Sequence, residues 1–306
     1  MAHIPVLLNE VLRYLDPKPN QNFIDATVGD GGHVAAILEK TSPNGKLLAI
    51  DRDSDSIVRA KSNLADFENR VLFINDSFGN LEKIVRNNNF GLSNGILFDF
   101  GISSSQLENS GRGFTFAKNE ILDMRYDVKA PITAEDIVNG YSEKELTEIF
   151  RKWGEEPKAK IAAREIAASR KNERIKTTKE LVKIVERVIK RRGKLHPATL
   201  IFQALRIEVN QELAEIEKAL KIIPEVLKKG GRAAFVSFHS LEDRIIKNWA
   251  RDLSRKGIIK ILNNSDAFEG RSPDQKRRGK PITASAEELK INPKSRSAKL
   301  RMVEII

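Results

Sequence analysis

The chain has 306 residues, 40% hydrophobic and 31% charged, with a formal net charge of +11 and no cysteine. That length and apolar content support one large domain or two ordinary ones and exclude global disorder. Without cysteine, disulfides, thiolate catalysis and thiolate metal sites are excluded, which suits a reducing compartment.

No apolar run approaches the ~20 residues that cross a bilayer. The opening segment, Met1 to Glu10, lacks the basic start of a signal peptide. The expected setting is cytoplasmic, with no membrane. The four histidines, His3, His33, His196 and His239, show no metal-ligand spacing, so no metal is expected. Charge is unevenly spread. Residues 151–194 hold 16 Lys/Arg against 6 Asp/Glu, and residues 271–301 hold 10 against 3. These two segments carry more than the whole net positive charge, a pattern that fits a polyanionic partner as well as two solvated basic faces.

Strand-like runs at Asn22–Val28, Lys46–Asp51, Val71–Asp76 and Gly95–Phe100 alternate with helical spacing at His33–Lys40 and Ser54–Leu64. This rhythm predicts a parallel sheet with crossover helices. Residues 102–132, rich in Ser, Gly and Asn, read as an ordered loop. Thr133–Lys221 reads as helical. Leu181, Ile184, Val185, Val188 and Ile189 make one apolar stripe, with Lys179, Lys183, Arg187, Lys190 and Arg191 outside it. Pro224 is expected to kink the next helix or start a new turn. Strands follow at Arg232–Phe238, Ile258–Leu262 and Lys299–Ile305, with a long polar loop at 264–297. The predicted architecture is an α/β doubly wound, mostly parallel sheet, interrupted by a helical insertion. The sheet domain spans 1–110 and 222–306, and the insertion 111–221.

Several segments at strand ends carry chemistry. Phe23-Ile24-Asp25-Ala26-Thr27-Val28-Gly29-Asp30-Gly31-Gly32-His33 takes a strand through glycines into a helix, a pattern that serves a nucleotide cofactor or a plain tight turn. It is not the dinucleotide fingerprint, whose glycine spacing it lacks. Asp51 ends the second strand about 20 residues on, where an acid accepts both ribose hydroxyls of an adenosine cofactor. Asp53 is placed to cap the helix that follows. Asp76 and Phe78 end the third strand, where an acid meets an adenine amine and an aromatic covers the ring, or where a loop is capped over a core phenylalanine. Asp99, before Phe100-Gly101-Ile102-Ser103-Ser104-Ser105-Gln106, ends the fourth strand at the switch point. The segment reads either as acceptors that orient an exocyclic amine, whose lone pair is delocalised into its ring, or as a Ser-rich structural turn. Ser237-Phe238-His239-Ser240 reaches the same edge. It lacks a nucleophile elbow, so His239 is read as a substrate or structural contact.

In order along the chain, His3-Ile4-Pro5-Val6-Leu7-Leu8, Gly29-Asp30-Gly31-Gly32-His33, Ala49-Ile50-Asp51-Arg52-Asp53, Asp99 to Gln106, Arg112-Gly113-Phe114 with Leu122-Asp123-Met124-Arg125, His196-Pro197-Ala198-Thr199 with Phe202 to Arg206, Ser237 to Arg244, and Lys294 to Arg301 resemble the bacterial 16S ribosomal RNA cytosine-N4 methyltransferase family. The resemblance implies an S-adenosyl-L-methionine-dependent, Rossmann-like enzyme acting on cytidine 1402 of the 16S RNA in the small ribosomal subunit. It places cofactor contacts at Gly31, Gly32, His33, Asp51, Phe78, Asp99 and Gln106, with Asp99 also catalytic. Ser103, Ser104, His239, Arg277, Arg278 and Arg296 are the expected RNA contacts. Two departures stand out. Ser105 replaces a frequent proline, and Thr199-Leu200-Ile201 replaces a more usual Thr-Arg-Thr. Two alternatives remain open at this point: a methyltransferase of another nucleic acid or protein, and a non-catalytic ribosome-assembly factor with a vestigial cofactor pocket. An oligomer is compatible with the sequence.

Overall fold

A computed structural model describes residues 4–191, 193, 195–262 and 280–306. Arg277 and Arg278 lie outside the described residues. The chain divides into two compact units, one of Met1–Gly101 with Leu213–Ile306 and one of Ile102–Glu212.

The first unit opens with α1 (Leu8–Leu15) and continues as β1 (Phe23–Asp25), α2 (Gly32–Lys40), β2 (Leu47–Asp51), α3 (Ser54–Asn63), β3 (Val71–Asn75), α4 (Leu81–Asn87) and β4 (Ser93–Asp99). In β2, residues Leu47 to Ile50 are all buried, which is why the strand reads as an unbroken apolar run rather than an alternating one. Asp53 caps α3, its carboxylate accepting the Asp55 N–H at 3.2 Å. Helix α2 turns His33, Val34, Ile37 and Leu38 inward.

The second unit holds α5 (Ser104–Asn109), α6 (Ala134–Gly140), α7 (Glu143–Lys152), α8 (Ala159–Ser169), α9 (Thr178–Val188) and α10 (Thr199–Asn210). Helix α5 falls where a loop was expected, because a serine-rich run of six residues shows no helical periodicity. The rest of that loop is ordered by the Arg112 guanidinium, which donates to the carbonyls of Arg125 and Tyr126 at 3.0 Å each. Capping boxes start α6, α7 and α9, at Thr133 with Asp136, Ser142 with Glu145 and Thr177 with Glu180. Leu181, Ile184, Val185 and Ile189 join this unit's core and Val188 packs against it. Lys179, Lys183, Arg187, Lys190 and Arg191 are exposed. Ile102 and Leu107 also pack on this core, so the compact unit begins before residue 111.

The first unit resumes with α11 (Glu212–Val226), β5 (Leu227–Ser237), α12 (Ser240–Arg255), β6 (Ile259–Leu262), β7 (Ile282–Thr283), α13 (Ala286–Ile291) and β8 (Lys299–Ile305). Pro224 stands within the last turn of α11 rather than opening a new one. Strand β5 starts earlier than the expected Arg232. A register shift opposite Ser93 and Gly95 absorbs the Lys228–Gly231 stretch. The expected loop 264–297 holds β7, α13 and a 3-10 turn at Pro293–Ser297 among its described residues. Their segments are too short to carry a readable period. Among the described residues no helix is long and apolar enough to cross a membrane.

The sheet order is β3-β2-β1-β4-β5-β8-β6, with β7 beside β8. Strands β1 to β5 run parallel and β8 runs antiparallel to its neighbours. The order reverses between β1 and β4, so the carboxyl ends of these strands frame the crevice where ligands bind in open α/β sheets.

Candidate active site

Three carboxylates end the strands at this crevice: Asp25 on β1, Asp51 on β2 and Asp99 on β4. Asp51 holds the glycine turn. Its Oδ2 accepts the Gly29 N–H and its Oδ1 the Asp53 N–H, both at 2.9 Å. Burial pushes its carboxyl up to about 6, against the pull of those two N–H groups. Each oxygen keeps a second lone pair, so the carboxylate can also accept from a ligand hydroxyl.

The turn itself is fixed by packing. Gly31 has φ +89°, and a Cβ there would lie 2.9 Å from Leu64 Cδ1; one on Gly32 would lie 2.5 Å from Pro5 Cγ. The positive φ at Gly31 and the Pro5 ring beside Gly32 therefore favour glycine at these positions without any ligand. Asp30, between the glycines, accepts from Arg59 Nε at 2.8 Å, and its carbonyl accepts from Asn63 at 2.9 Å.

His33 follows in the first turn of α2. It is buried, and among the described residues neither ring nitrogen has a hydrogen-bond partner. Its Nε2 lies 3.7 Å from Asp99 Oδ2, and Asp99 Oδ1 is likewise buried with no partner among the described residues. The Asp99 backbone N–H donates to Thr27 Oγ1 at 2.7 Å. Thr27 in turn donates to Asp25 Oδ1, from its N–H at 3.0 Å and its hydroxyl at 3.4 Å. Burial pushes Asp25 up to about 7, with His33 pulling the other way and Asp99 and Asp51 adding to the rise. Asp25 and Thr27 carry no assigned role in the sequence: Asp25, four residues before Gly29, reads equally as the end of a buried strand.

Phe78 sits half-buried in a 3-10 turn, Phe78–Asn80. Its ring meets Phe98 and Phe100 edge-on, with centroids 5.8 and 5.7 Å away, and Arg52 lies 5.7 Å from its centroid. The turn is tied to α11, where Glu215 accepts from Ser77 Oγ and from Lys218 Nζ. Glu215 had no sequence signal, because it lies 138 residues from Ser77. Asp76 accepts the Asn80 amide at 2.8 Å.

His239 follows β5 on the same edge and caps α12. Its Nδ1 accepts the Glu242 N–H at 3.5 Å, and Glu242 accepts the Phe238 N–H at 2.8 Å. Arg296 is exposed in the turn before β8. Gln106, Ser103 and Ser104 belong to the second unit. There Ser103 caps α5 and exchanges hydrogen bonds with the buried Gln106 at 3.0 and 3.1 Å. The structure thus brings Gly31, Gly32, His33, Asp51, Phe78 and Asp99 together in one unit, on one edge of its sheet.

This edge suits a cationic adenosine cofactor. Three acids complement positive charge, an aromatic ring lies beyond β3, and the buried polar atoms of His33 and Asp99 have unspent hydrogen-bonding capacity. S-Adenosylmethionine fits that donor and acceptor set.

A family model, the MraW methylase family, matches residues 1–306. The Ribosomal RNA small subunit methyltransferase H of Elusimicrobium minutum is 43% identical over 306 residues, covering 100% of this chain and 99% of that one. The protein of the same name from a Sulfurihydrogenibium species is 44% identical over 305 residues, covering 99% and 98%. That from Clostridioides difficile is 39% identical over 307 residues, covering 99% of each.

Proposed function

We propose that this chain, which belongs over its whole length to the MraW methylase family, methylates the N4 amine of a cytidine in small-subunit ribosomal RNA, cytidine 1402 in 16S numbering. The methyltransferase activity comes with the family, and S-adenosylmethionine is its methyl donor. The RNA substrate is supported by relatives named for the small-subunit RNA and by the basic outer face of α9. The choice of the N4 amine rests on the sequence resemblance and on Asp99.

The observation that carries the reading is Asp99. Its Oδ1 is buried with no partner among the described residues, at the end of β4 beside the switch point. A carboxylate so placed accepts an N–H of the target amine and turns its lone pair toward the methyl group. Bound S-adenosylmethionine supplies that methyl as an activated electrophile, so the protein need not provide a covalent nucleophile. The Gly31–His33 turn is assigned to the donor's amino-acid part, Asp51 to its ribose and Phe78 to its adenine. A cytidine paired or stacked in RNA must leave its stack to reach this edge. Lys179, Lys183, Arg187 and Lys190 are proposed to hold phosphates, with Arg296, His239, Arg277 and Arg278 as further RNA contacts. The roles expected of Gln106, Ser103 and Ser104 stay with the resemblance.

The test is transfer of labelled methyl to small subunits that lack the modification, with naked 16S RNA in parallel. The wild type should label one of the two, and Asp99→Ala, at saturating methyl donor, should label neither at more than a few per cent of that rate. Full labelling by Asp99→Ala would remove the role given to that carboxylate.

A further inference from the structure

We infer that the Thr27 hydroxyl positions Asp99 for the reaction, by holding the Asp99 backbone at the point where β1 and β4 part. This rests on the role proposed above for the Asp99 carboxylate. Strands β1 and β4 pair as far as Asp25 and Leu97, and the Ala26 N–H still donates to the Leu97 carbonyl at 2.9 Å. A parallel ladder continued by one step would send the Asp99 N–H to the Ala26 carbonyl. That N–H donates instead to Thr27 Oγ1, at 2.7 Å. A side chain thus supplies the last bond between the two strands. Beyond it β1 runs into the glycine turn, and Gly101, with φ +103°, leads the chain out of β4.

The direction of each bond follows from the groups themselves. A backbone N–H only donates, so the Thr27 oxygen accepts from Asp99 and turns its own proton to Asp25 Oδ1, 3.4 Å away. The same Oδ1 accepts the Thr27 N–H at 3.0 Å, and Asp25 is itself buried at the end of β1. Asp25 therefore holds Thr27 as Thr27 holds Asp99. On the other side, the Phe100 N–H donates to the Val236 carbonyl of β5 at 3.0 Å. The end of β4 is gripped from both neighbouring strands, which fixes the direction of the Asp99 Cα–Cβ bond and with it the place of the carboxylate. Valine at position 27 keeps the shape of threonine and offers no acceptor, so β4 would be held there from β5 alone. A displacement of ~1 Å at a reacting group costs on the order of 100-fold in rate. Thr27 acts through Asp99 and is a positioning residue, tested by readouts that packing alone would not move.

The experiment measures single-turnover methyl transfer at saturating S-adenosylmethionine and saturating RNA, on whichever of unmodified small subunits and naked 16S RNA the wild type labels. It compares the wild type, Thr27→Val, Thr27→Ser, Asp99→Ala and the double variant Thr27→Val with Asp99→Ala. Thr27→Val should be roughly 10- to 100-fold slower than the wild type. Thr27→Ser, which restores the hydroxyl acceptor, should recover most of that rate. In the Asp99→Ala background, Thr27→Val should add less than about twofold, because two residues acting as one unit are not additive. A loss of packing would instead slow both backgrounds alike. A wild-type rate for Thr27→Val, an equal loss in Thr27→Ser, or the full further loss in the Asp99→Ala background each overturns the inference. If Thr27→Val fails to fold, Thr27→Ala takes its place against Thr27→Ser in the same design. Slow Asp99→Ala with a failed Thr27 test sinks the inference alone, whereas full labelling by Asp99→Ala sinks the role proposed for that carboxylate and the inference with it.

Discussion

The Asp51 carboxylate holds the turn that precedes α2, its Oδ2 accepting the Gly29 N–H at 2.9 Å. The acid assigned to the ribose therefore also shapes the backbone that would meet the donor's amino-acid part, 22 residues away in sequence. Asp51→Ala leaves the N–H groups of Gly29 and Asp53 without their acceptors, at a cost of ~1–3 kcal/mol each when buried. It should lower Tm and weaken S-adenosylmethionine binding at least tenfold. Asp51→Asn, which keeps one acceptor oxygen, should fall between. Calorimetry and thermal melts on both variants check the order. Because burial raises the Asp51 carboxyl to about 6, donor affinity should also fall as pH drops from 7.5 to 5.5.

Asp25 provides a test by stability. Its carboxyl titrates at about 7 in the folded chain, above the usual ~3.9 unfolded value. Between those values the folded state binds more protons than the unfolded state, so this group makes stability fall as pH rises from ~4 to ~7, then level off. Asp25→Asn keeps the oxygen that accepts from Thr27 and removes the buried charge. It should be more stable than the wild type at pH 8, by ~1–4 kcal/mol. The advantage should vanish near pH 4. Denaturant melts at both pH values measure it.

Gly31→Ala should be destabilising whether or not a cofactor binds. Its φ of +89° disfavours any side chain, and the new Cβ would press on Leu64 at 2.9 Å. A loss of ~1–3 kcal/mol is expected, read as a lower denaturation midpoint without added S-adenosylmethionine. An unchanged midpoint would contradict the backbone account of this turn.

The basic face of α9 yields a salt test. Replacing exposed Lys179 and Lys183 of α9, with Lys190 just beyond its end, together by alanine should weaken binding to 16S RNA fragments. The slope of log affinity against log salt should become shallower by about 2–3. Affinity for S-adenosylmethionine should not change. An unaltered slope would leave this face as merely solvated.

Parts of this site were legible because they are local. Asp53 was readable as the α3 cap from its place before an apolar period, and the four parallel strands from their alternation with helices. Asp51 and Asp99 were readable as acids ending apolar runs. The relation between Ser77 and Glu215 was not legible, because strand order rather than spacing decides which distant residues meet. Asp25 was hidden for another reason: a buried acid looks the same in sequence whether it serves the site or ends a strand. Helices α5 and α13, of six residues each, are too short to display a period.

The central claim is most directly tested by digesting the labelled RNA to nucleosides, identifying the methylated one by mass, and mapping its position. The account predicts N4-methylcytidine at a single site, cytidine 1402, formed only in the presence of S-adenosylmethionine. Methyl on ribose, on a ring nitrogen or at another cytidine would contradict it.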